Sequence, residues 1–152
     1  MDLKIDFMKE KNLSPIMKIE EESFPCPWSR HSFLRDINDN PYSLYLIAKV
    51  EDKLVGYIGG WIIIDELHIT TLAVESNYRH QGIATKLIKE ILKIVRGKEV
   101  ISVTLEVRKS NQAAFSLYKK LGFTKVGQRP NYYSNNREDA LIMRKEINNG
   151  QE

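Results

Sequence analysis

Between residues 67 and 107 the hydrophobic pattern of the chain changes from that of a strand to that of a helix and back again. Residues 67–74 form an apolar run of strand length, and residues 100–107 alternate between apolar and polar side chains. Between these segments, apolar residues recur at the spacing of an amphipathic helix that ends near Gly97. They are Ala84, Leu87, Ile88, Ile91, Leu92 and Val95. This pattern predicts a strand–helix–strand crossover within one sheet.

Antiparallel strands are predicted on the N-terminal side of the crossover. Short polar turns separate three strand-like runs, which favours hairpins between them. The runs are residues 44–50, 54–64 and 67–74. Glycines inside the second run predict a bulge or a close approach of two backbones. These glycines are Gly56, Gly59 and Gly60.

Helices precede these strands and follow the crossover. The first helix is predicted to begin at Ser14-Pro15, because proline suits the first helical turn. Ser29 caps the second helix, and Ser110 or Asn111 caps the last one. Two further strands close the chain, residues 123–128 and 140–144. The order ααβββαβαββ predicts an α/β (α+β) fold, in which helices flank a mixed, mostly antiparallel central sheet.

The chain has the length of one compact domain, which we place at residues 1–147, with a frayed tail at 148–152. No apolar run approaches the ~20 residues that a membrane span needs, and the N-terminus lacks the pattern of a signal peptide. A lone cysteine, Cys26, excludes an intramolecular disulfide, and three dispersed histidines give no metal-ligand spacing. We therefore expect a cytoplasmic protein without a metal, a monomer or a weak homodimer.

The formal charge of +3 is unevenly distributed. Residues 1–76 hold eight Lys or Arg against thirteen Asp or Glu, whereas residues 77–152 hold fifteen against seven. The basic half suits a polyanion, either nucleic acid or a smaller phosphorylated cofactor. A cofactor is favoured, because no Lys/Arg cluster with interleaved aromatic residues is present.

The segment from the third strand into the crossover helix has the character of a phosphate-binding turn. The backbone N–H groups at a helix start are unpaired and lie at the positive end of the helix dipole. Gly82 allows phosphate to approach this backbone closely. The turn lacks both the Walker ending and the three glycines of the dinucleotide fingerprint. From these residues alone, an ordinary strand-to-helix turn remains equally open.

Four segments carry a family resemblance that covers about residues 15–146. The turn Arg79-His80-Gln81-Gly82-Ile83-Ala84 resembles the Arg/Gln-x-x-Gly-x-Gly/Ala signature of the GNAT superfamily, which binds acetyl-coenzyme A (acetyl-CoA). The block from Leu105-Glu106-Val107-Arg108 to Leu121-Gly122-Phe123, the pair Tyr132-Tyr133 after Asn131, and Phe24-Pro25-x-Pro27-Trp28 resemble the RimI-type protein N-terminal acetyltransferases. That branch includes enzymes that acetylate a ribosomal-protein alanine.

The resemblance implies a site for acetyl-CoA as cosubstrate. The strand around residues 69–74 would separate from its neighbour, and its freed backbone would pair with the pantetheine arm. The amides of the turn would hold the pyrophosphate, with Arg79 as charge support and Asn111 as a further contact. The implied cofactor-binding residues are Leu72, Ala73, Val74, Arg79, His80, Gln81, Gly82, Ile83, Ala84, Thr85 and Asn111.

The resemblance also implies catalytic residues. Glu106 resembles the general base that takes a proton from the amine, and Tyr118 resembles the general acid that protonates the thiolate of coenzyme A. His68 is a second candidate base, because its ordinary pKa lies near neutrality. The residues alone leave other interpretations open: a solvated strand carboxylate, a core tyrosine and a hydrogen-bonded sheet histidine.

Five aromatic or proline residues are expected to form the two walls of an acceptor groove: Phe24, Pro25, Trp28, Tyr132 and Tyr133. Anchoring of the loops to the core is the alternative role for them. We read Cys26 as a loop residue, so the acetyl group is expected to pass directly to the amine in a ternary complex. The predicted function is acetylation of a protein or peptide N-terminus, with ribosomal proteins among the candidate partners. A small-molecule amine acetyltransferase and a non-catalytic coenzyme A-binding module are the alternatives.

Overall fold

The computed structural model describes residues 2–147 of the chain. The helices are α1 (Leu13–Ser23), α2 (Arg30–Asp39), α3 (Ile83–Arg96) and α4 (Gln112–Lys120). The strands are β1 (Leu3–Phe7), β2 (Ser43–Val50), β3 (Lys53–Ile63), β4 (Glu66–Val74), β5 (Ser102–Arg108), β6 (Thr124–Arg129) and β7 (Ala140–Glu146). The predicted tail, residues 148–152, lies outside the described residues.

Within residues 2–147, the seven strands form one sheet in the order β1-β2-β3-β4-β5-β7-β6. Neighbouring strands are antiparallel except for β4 and β5, which are parallel and are connected by α3. The predicted fold class, a mixed and mostly antiparallel sheet flanked by helices, is therefore confirmed.

One strand of the sheet is missing from the predicted order. Strand β1 pairs antiparallel with β2, from Leu3 opposite Val50 to Phe7 opposite Leu46. Its apolar residues alternate with Lys4 and Asp6, which is a strand pattern. The segment is short and lies at the sheet edge, where three of its five residues are exposed, so its local hydrophobic signal is weak.

Helices cover the two faces of the sheet over separate cores. On one face, α1 and α2 bury Ile16 and Phe33 against Tyr45 of β2 and Tyr57 of β3. On the other face, the apolar stripe of α3 packs on the central strands and is fully buried. Its fully buried members are Leu87, Ile88, Ile91 and Val95. Each such side chain contributes about 1.5–3 kcal/mol by leaving water.

The predicted bulge and close backbone approach are confirmed where β3 meets β4. Gly59 lies opposite Thr71 but Gly60 lies opposite Ile69, so Thr70 is an extra residue on β4. A Cβ atom on Gly59 would lie 1.8 Å from the Tyr45 ring, and one on Gly60 would lie 2.3 Å from the His68 carbonyl oxygen. The two glycines therefore allow β3 to pack closely at this irregular point of the sheet.

The bulge coincides with the end of pairing between the parallel strands. The pairs between β4 and β5 run from Glu66 opposite Ser102 to Ile69 opposite Leu105. Both strands continue beyond that point, to Val74 and Arg108, without pairing with each other. Because a bulge bends the strand that carries it, Thr70 explains why β4 leaves β5 at this position.

We expect Gly60→Ala to lower the free energy of unfolding by about 1–3 kcal/mol, because the new methyl group must displace backbone. Gly127→Ala is the matched control, since its Cβ would meet Ile142 at 3.5 Å, an ordinary contact. Alanine there should be neutral or stabilising by up to about 1 kcal/mol. Chemical denaturation of both variants measures the difference. Equal stabilities would contradict the close approach at Gly60.

Candidate active site

A cavity of about 800 Å³ lies where β4 and β5 separate. The second half of β4 forms one wall, and residues 105–108 of β5 form the other. The first turn of α3, the start of α4 and the loops after α1 and β6 complete the lining. The cavity thus lies between two interior strands of the sheet and reaches both the helix N-terminus and the aromatic loops.

Unpaired backbone groups of β4 face this cavity. The N–H of Glu75 donates to the carbonyl of Val55 on β3, at 2.8 Å. Because hydrogen-bonding direction alternates along an antiparallel strand, the N–H groups of Leu72 and Val74 are directed to the opposite edge, away from β3. The Val74 carbonyl accepts a hydrogen bond from Nε of Arg79, at 3.0 Å. Arg79 therefore connects the turn that leads into α3 to the end of β4.

The N-terminus of α3 opens into the cavity. Gly82 precedes the helix with φ of 83°, in the left-handed region that favours glycine. No side chain caps this helix end, and nothing lies within 4 Å of the position where a Gly82 Cβ would be. Free N–H groups at a helix start bind anions. The residues here that line the cavity are Gly82, Ile83, Ala84 and Thr85.

Glu106 and His68 form a hydrogen-bonded pair beside the cavity. Nε2 of His68 lies 2.9 Å from Oε1 and 3.0 Å from Oε2 of Glu106. Glu106 lines the cavity, whereas His68 does not line it and lies next to the carboxylate on β4. Both side chains project from the face of the sheet on which α1 and α2 pack. Because β4 and β5 are neighbouring strands, two side chains on that face can meet.

The pair shifts the pKa values of both groups. The hydrogen bond to Glu106 raises the pKa of His68, against the opposing effect of partial burial. Burial alone would raise the pKa of Glu106, but the hydrogen bond and charge of His68, with Arg129 and Tyr132, lower it. At neutral pH the carboxylate is therefore ionised, and the imidazole is the stronger proton acceptor of the two.

Three tyrosines line the same cavity as Glu106. The Tyr132 hydroxyl donates to Oε1 of Glu106 at 3.4 Å, and its ring packs edge-on against Tyr133 at 5.0 Å. Tyr118 of α4 packs its ring against Phe123 at 5.8 Å. Burial, with the neighbouring Tyr133 phenol, raises the pKa of Tyr118 to about 12. Its hydroxyl thus stays protonated at neutral pH.

Two loops meet above the acceptor side of the cavity. Sγ of Cys26, in the α1–α2 loop, lies 3.8 Å from Oγ of Ser134, in the β6–β7 loop. Phe24 and Pro25 line the cavity from the first loop. Trp28 lines it as well, but its ring also packs on Phe33 at 5.3 Å. Trp28 therefore has contacts of both predicted kinds, with the groove and with the core.

The structure brings nearly all of the predicted site residues to this one cavity. Leu72, Ala73, Val74, Arg79, His80 and Asn111 line it, together with the first turn of α3. Asn111 also caps α4, with its Oδ1 accepting from the Ala114 N–H at 3.1 Å. Of the predicted residues, Gln81 and His68 do not line the cavity. Nε2 of Gln81 donates to the Asn77 carbonyl at 3.4 Å instead.

Sequence reasoning assigned no role to several charged residues that shape the site. The Arg108 guanidinium lies 3.9 Å from the centre of the Tyr133 ring and 3.3 Å from Glu138. Arg129 lies over Tyr132, at 5.8 Å from the ring centre. Arg108 follows Glu106 by two residues, so strand alternation could have placed it on the same face. Arg129 ends β6, a predicted strand, but nothing local in the sequence relates the end of this strand to Glu106.

No cluster of three or more His, Cys, Asp or Glu side chains in residues 2–147 is arranged to hold a metal ion. Over the same described range, none of the helices combines the length and apolar character required to cross a membrane.

We expect an NMR titration to give His68 a pKa above its ordinary value, and Glu106→Gln to return it towards that value. The pair stabilises the fold at pH values between the two shifted pKa values. That contribution is lost as pH rises through the raised His68 pKa or falls through the lowered Glu106 pKa. Exposed His31 serves as the internal control. An unchanged His68 pKa in Glu106→Gln would contradict the pairing.

Comparison with known proteins agrees with this geometry. Residues 13–123 match the model of the acetyltransferase (GNAT) family. A Bacillus subtilis (strain 168) protein, provisionally named a ribosomal protein bS18-alanine N-acetyltransferase, is 39% identical over 93% of each chain.

Two solved structures are similar over nearly the whole chain. The ribosomal-protein-S18-alanine N-acetyltransferase of Escherichia coli superimposes with a TM-score of 0.88 at 30% identity, covering 96% of this chain and 94% of its own. Ard1 of Thermoplasma volcanium gives a TM-score of 0.89 at 26% identity, covering 97% and 99%. The resemblance to the RimI-type enzymes is confirmed, and the chain belongs to the acetyltransferase (GNAT) family of N-acetyltransferases.

Proposed function

We propose that this protein transfers the acetyl group of acetyl-CoA to the α-amino group of a protein N-terminus. The observation that carries the proposal is the convergence of three features on one cavity. These features are the unpaired edge of β4, the free N-terminus of α3 and the Glu106–His68 pair. Together they offer backbone N–H groups for an extended ligand, a site for an anion and a proton acceptor.

The described residues fit acetyl-CoA. The N–H groups of Leu72 and Val74 offer hydrogen bonds to the pantetheine amides, and the first turn of α3 offers N–H groups to the pyrophosphate. When bound, acetyl-CoA supplies the activated acetyl group. A β4 N–H at the point of separation is placed to donate to the acetyl carbonyl and so to stabilise negative charge there.

Glu106 and His68 divide the work of taking up the proton of the amine. Glu106 reaches the cavity and attracts the cationic α-amine, either directly or through water. Its own pKa is lowered, so the carboxylate is a weak proton acceptor. His68 donates from Nε2 to Glu106 at 2.9 Å and so holds the carboxylate in place to receive the amine proton, which then passes to water.

Tyr118 is the group that returns a proton to the leaving sulfur. Tyr118 lines the same cavity on the α4 side, and its hydroxyl is protonated at neutral pH, because its pKa is raised to about 12. The surroundings of Cys26 support direct transfer. Its Sγ contacts the Ser134 hydroxyl, which cannot act as a base to generate a thiolate.

The acceptor is proposed to be a protein N-terminus of the ribosomal kind. The E. coli and B. subtilis relatives carry names that specify alanine of ribosomal protein bS18. In this chain Tyr132 and Tyr133 stand opposite Phe24 and Pro25, so the acceptor side offers aromatic walls suited to a peptide. Cytoplasmic location and a monomeric or weakly dimeric state stay predictions.

The decisive experiment incubates the protein with labelled acetyl-CoA, peptides that begin with different residues, and free amines such as polyamines and amino acids. We expect label on the α-amine of peptides, located by fragmentation mass spectrometry. Label on free amines only would favour the small-molecule alternative. Binding of coenzyme A without any transfer would favour a non-catalytic binding module.

Glu106→Gln should lower kcat by about 10²–10⁴-fold while leaving the Kd of acetyl-CoA nearly unchanged, because it removes a group used in proton transfer. Tyr118→Phe should also slow transfer, since the leaving sulfur then depends on water for its proton. Steady-state kinetics and calorimetry separate the two effects. Wild-type kcat in either variant would remove that residue from its assigned role.

Replacing Gly82 with a bulky residue should weaken acetyl-CoA binding at least tenfold, because a side chain strains the left-handed backbone at the helix start. Calorimetric titration with acetyl-CoA gives the Kd. Gly97→Ala is the control, since its Cβ meets only the Ile94 carbonyl oxygen, at 3.6 Å, and lies at the far end of α3. Equal Kd values for both variants would refute the pyrophosphate site.

A further inference from the structure

Glu20 is a buried carboxylate that joins three parts of the structure. It lies in the last turns of α1 and is 2% exposed. The Tyr57 hydroxyl of β3 donates to its Oε1 at 2.5 Å, and the backbone N–H of Trp28 donates to its Oε2 at 2.9 Å. Glu20 therefore fixes the loop of residues 24–28 to both the helix and the sheet.

A second buried carboxylate, Asp36, provides a comparison within the same layer. Its Oδ2 accepts from the Tyr45 hydroxyl at 2.6 Å and from the indole Nε1 of Trp61 at 2.7 Å. Both donors belong to sheet strands, so Asp36 fixes α2 to the sheet. Glu20 differs in two ways: one of its donors belongs to the loop, and Glu20 itself lines the cavity.

A buried polar side chain in the cavity wall around Glu20 is not hydrogen-bonded within the described residues. Oγ of Ser23 is buried without a hydrogen-bond partner among the described residues, and the Thr71 hydroxyl is buried beside Tyr57. Both residues line the cavity, as do Phe24 and Pro25 of the loop. A buried hydroxyl without a partner costs about 1–3 kcal/mol. Packing of the protein alone therefore does not account for a polar group on this wall.

We propose that Glu20 is a positioning residue for the acceptor: by holding the Trp28 N–H, it sets the loop of residues 24–28 at the distance from β4 that an acceptor peptide requires. The inference rests on the proposed function and deepens it. Glu20 acts through the loop and takes no part in proton transfer. Its loss therefore alters recognition of the acceptor, while the acetyl-CoA side and the chemical step keep their properties.

The test compares Glu20→Ala with its matched control Asp36→Ala, each of which leaves one tyrosine hydroxyl and one N–H without a buried acceptor. We expect Glu20→Ala to raise the acceptor KM about tenfold, with the acetyl-CoA KM and the kcat at saturating peptide unchanged. Asp36→Ala should raise the acceptor KM less than Glu20→Ala does, because its partner Trp61 contacts the Trp28 ring and not the Trp28 N–H. A Glu20→Ala acceptor KM equal to that of wild type, or equal to that of Asp36→Ala, would overturn the proposal.

Glu20→Gln keeps the test valid if the alanine variant does not fold. Its amide oxygen accepts one hydrogen bond, so the acceptor KM should rise by about threefold, and an unchanged value would overturn the proposal. Amide hydrogen exchange of residues 24–28, measured without substrate, should be faster in the Glu20 variants and less affected in Asp36→Ala.

The outcomes separate this inference from the proposed function. If the wild-type protein acetylates no peptide, the proposed function fails, and the role of Glu20 in acceptor recognition fails with it. If the wild-type protein acetylates peptides but exchange at residues 24–28 is the same in Glu20→Gln and wild type, only the positioning role fails.

Discussion

The loss of backbone pairing after Ile69 and Leu105 is the constraint on which the site depends. Two neighbouring strands that remain extended but unpaired expose hydrogen-bonding groups that a protein ordinarily satisfies. Here the exposed edge of β4 faces a cavity, and the one-residue bulge at Thr70 sets where it begins. The close approach of Gly60 to the His68 carbonyl maintains that irregularity from the opposite side of β4.

Charges near the cavity are segregated according to the partner each side would meet. The N-terminus of α3, with Arg79 beside it, presents positive potential to phosphates. On the acceptor side, Glu106 is held ionised by His68, and Glu20 is buried under the loop. This arrangement does not follow the two halves of the sequence, because Glu106 belongs to the basic half and Arg129 lies near it.

The crossover and the glycine turn could be predicted because their signals are local. Periodicity locates α3, and the spacing around Gly82 identifies its N-terminus. Glu106 and His68 could be named as candidates, but their contact could not, since it joins residues 38 apart through strand pairing. The sequence did not predict a role for Glu20, because a glutamate in a Glu-rich helix turn is expected to be solvated. Its burial depends on contacts with Tyr57 and Trp28, which are distant in sequence or lie in a loop.

The contact between Cys26 and Ser134 has a consequence for what can enter the acceptor side. The α1–α2 and β6–β7 loops touch there, on the acceptor side of the cavity. Under the proposed function, a chain end brings one strand of backbone to this loop contact, whereas a lysine inside a chain must bring two. The contact between the loops therefore bears on the choice between chain ends and internal amines before any side chain of the acceptor is recognised.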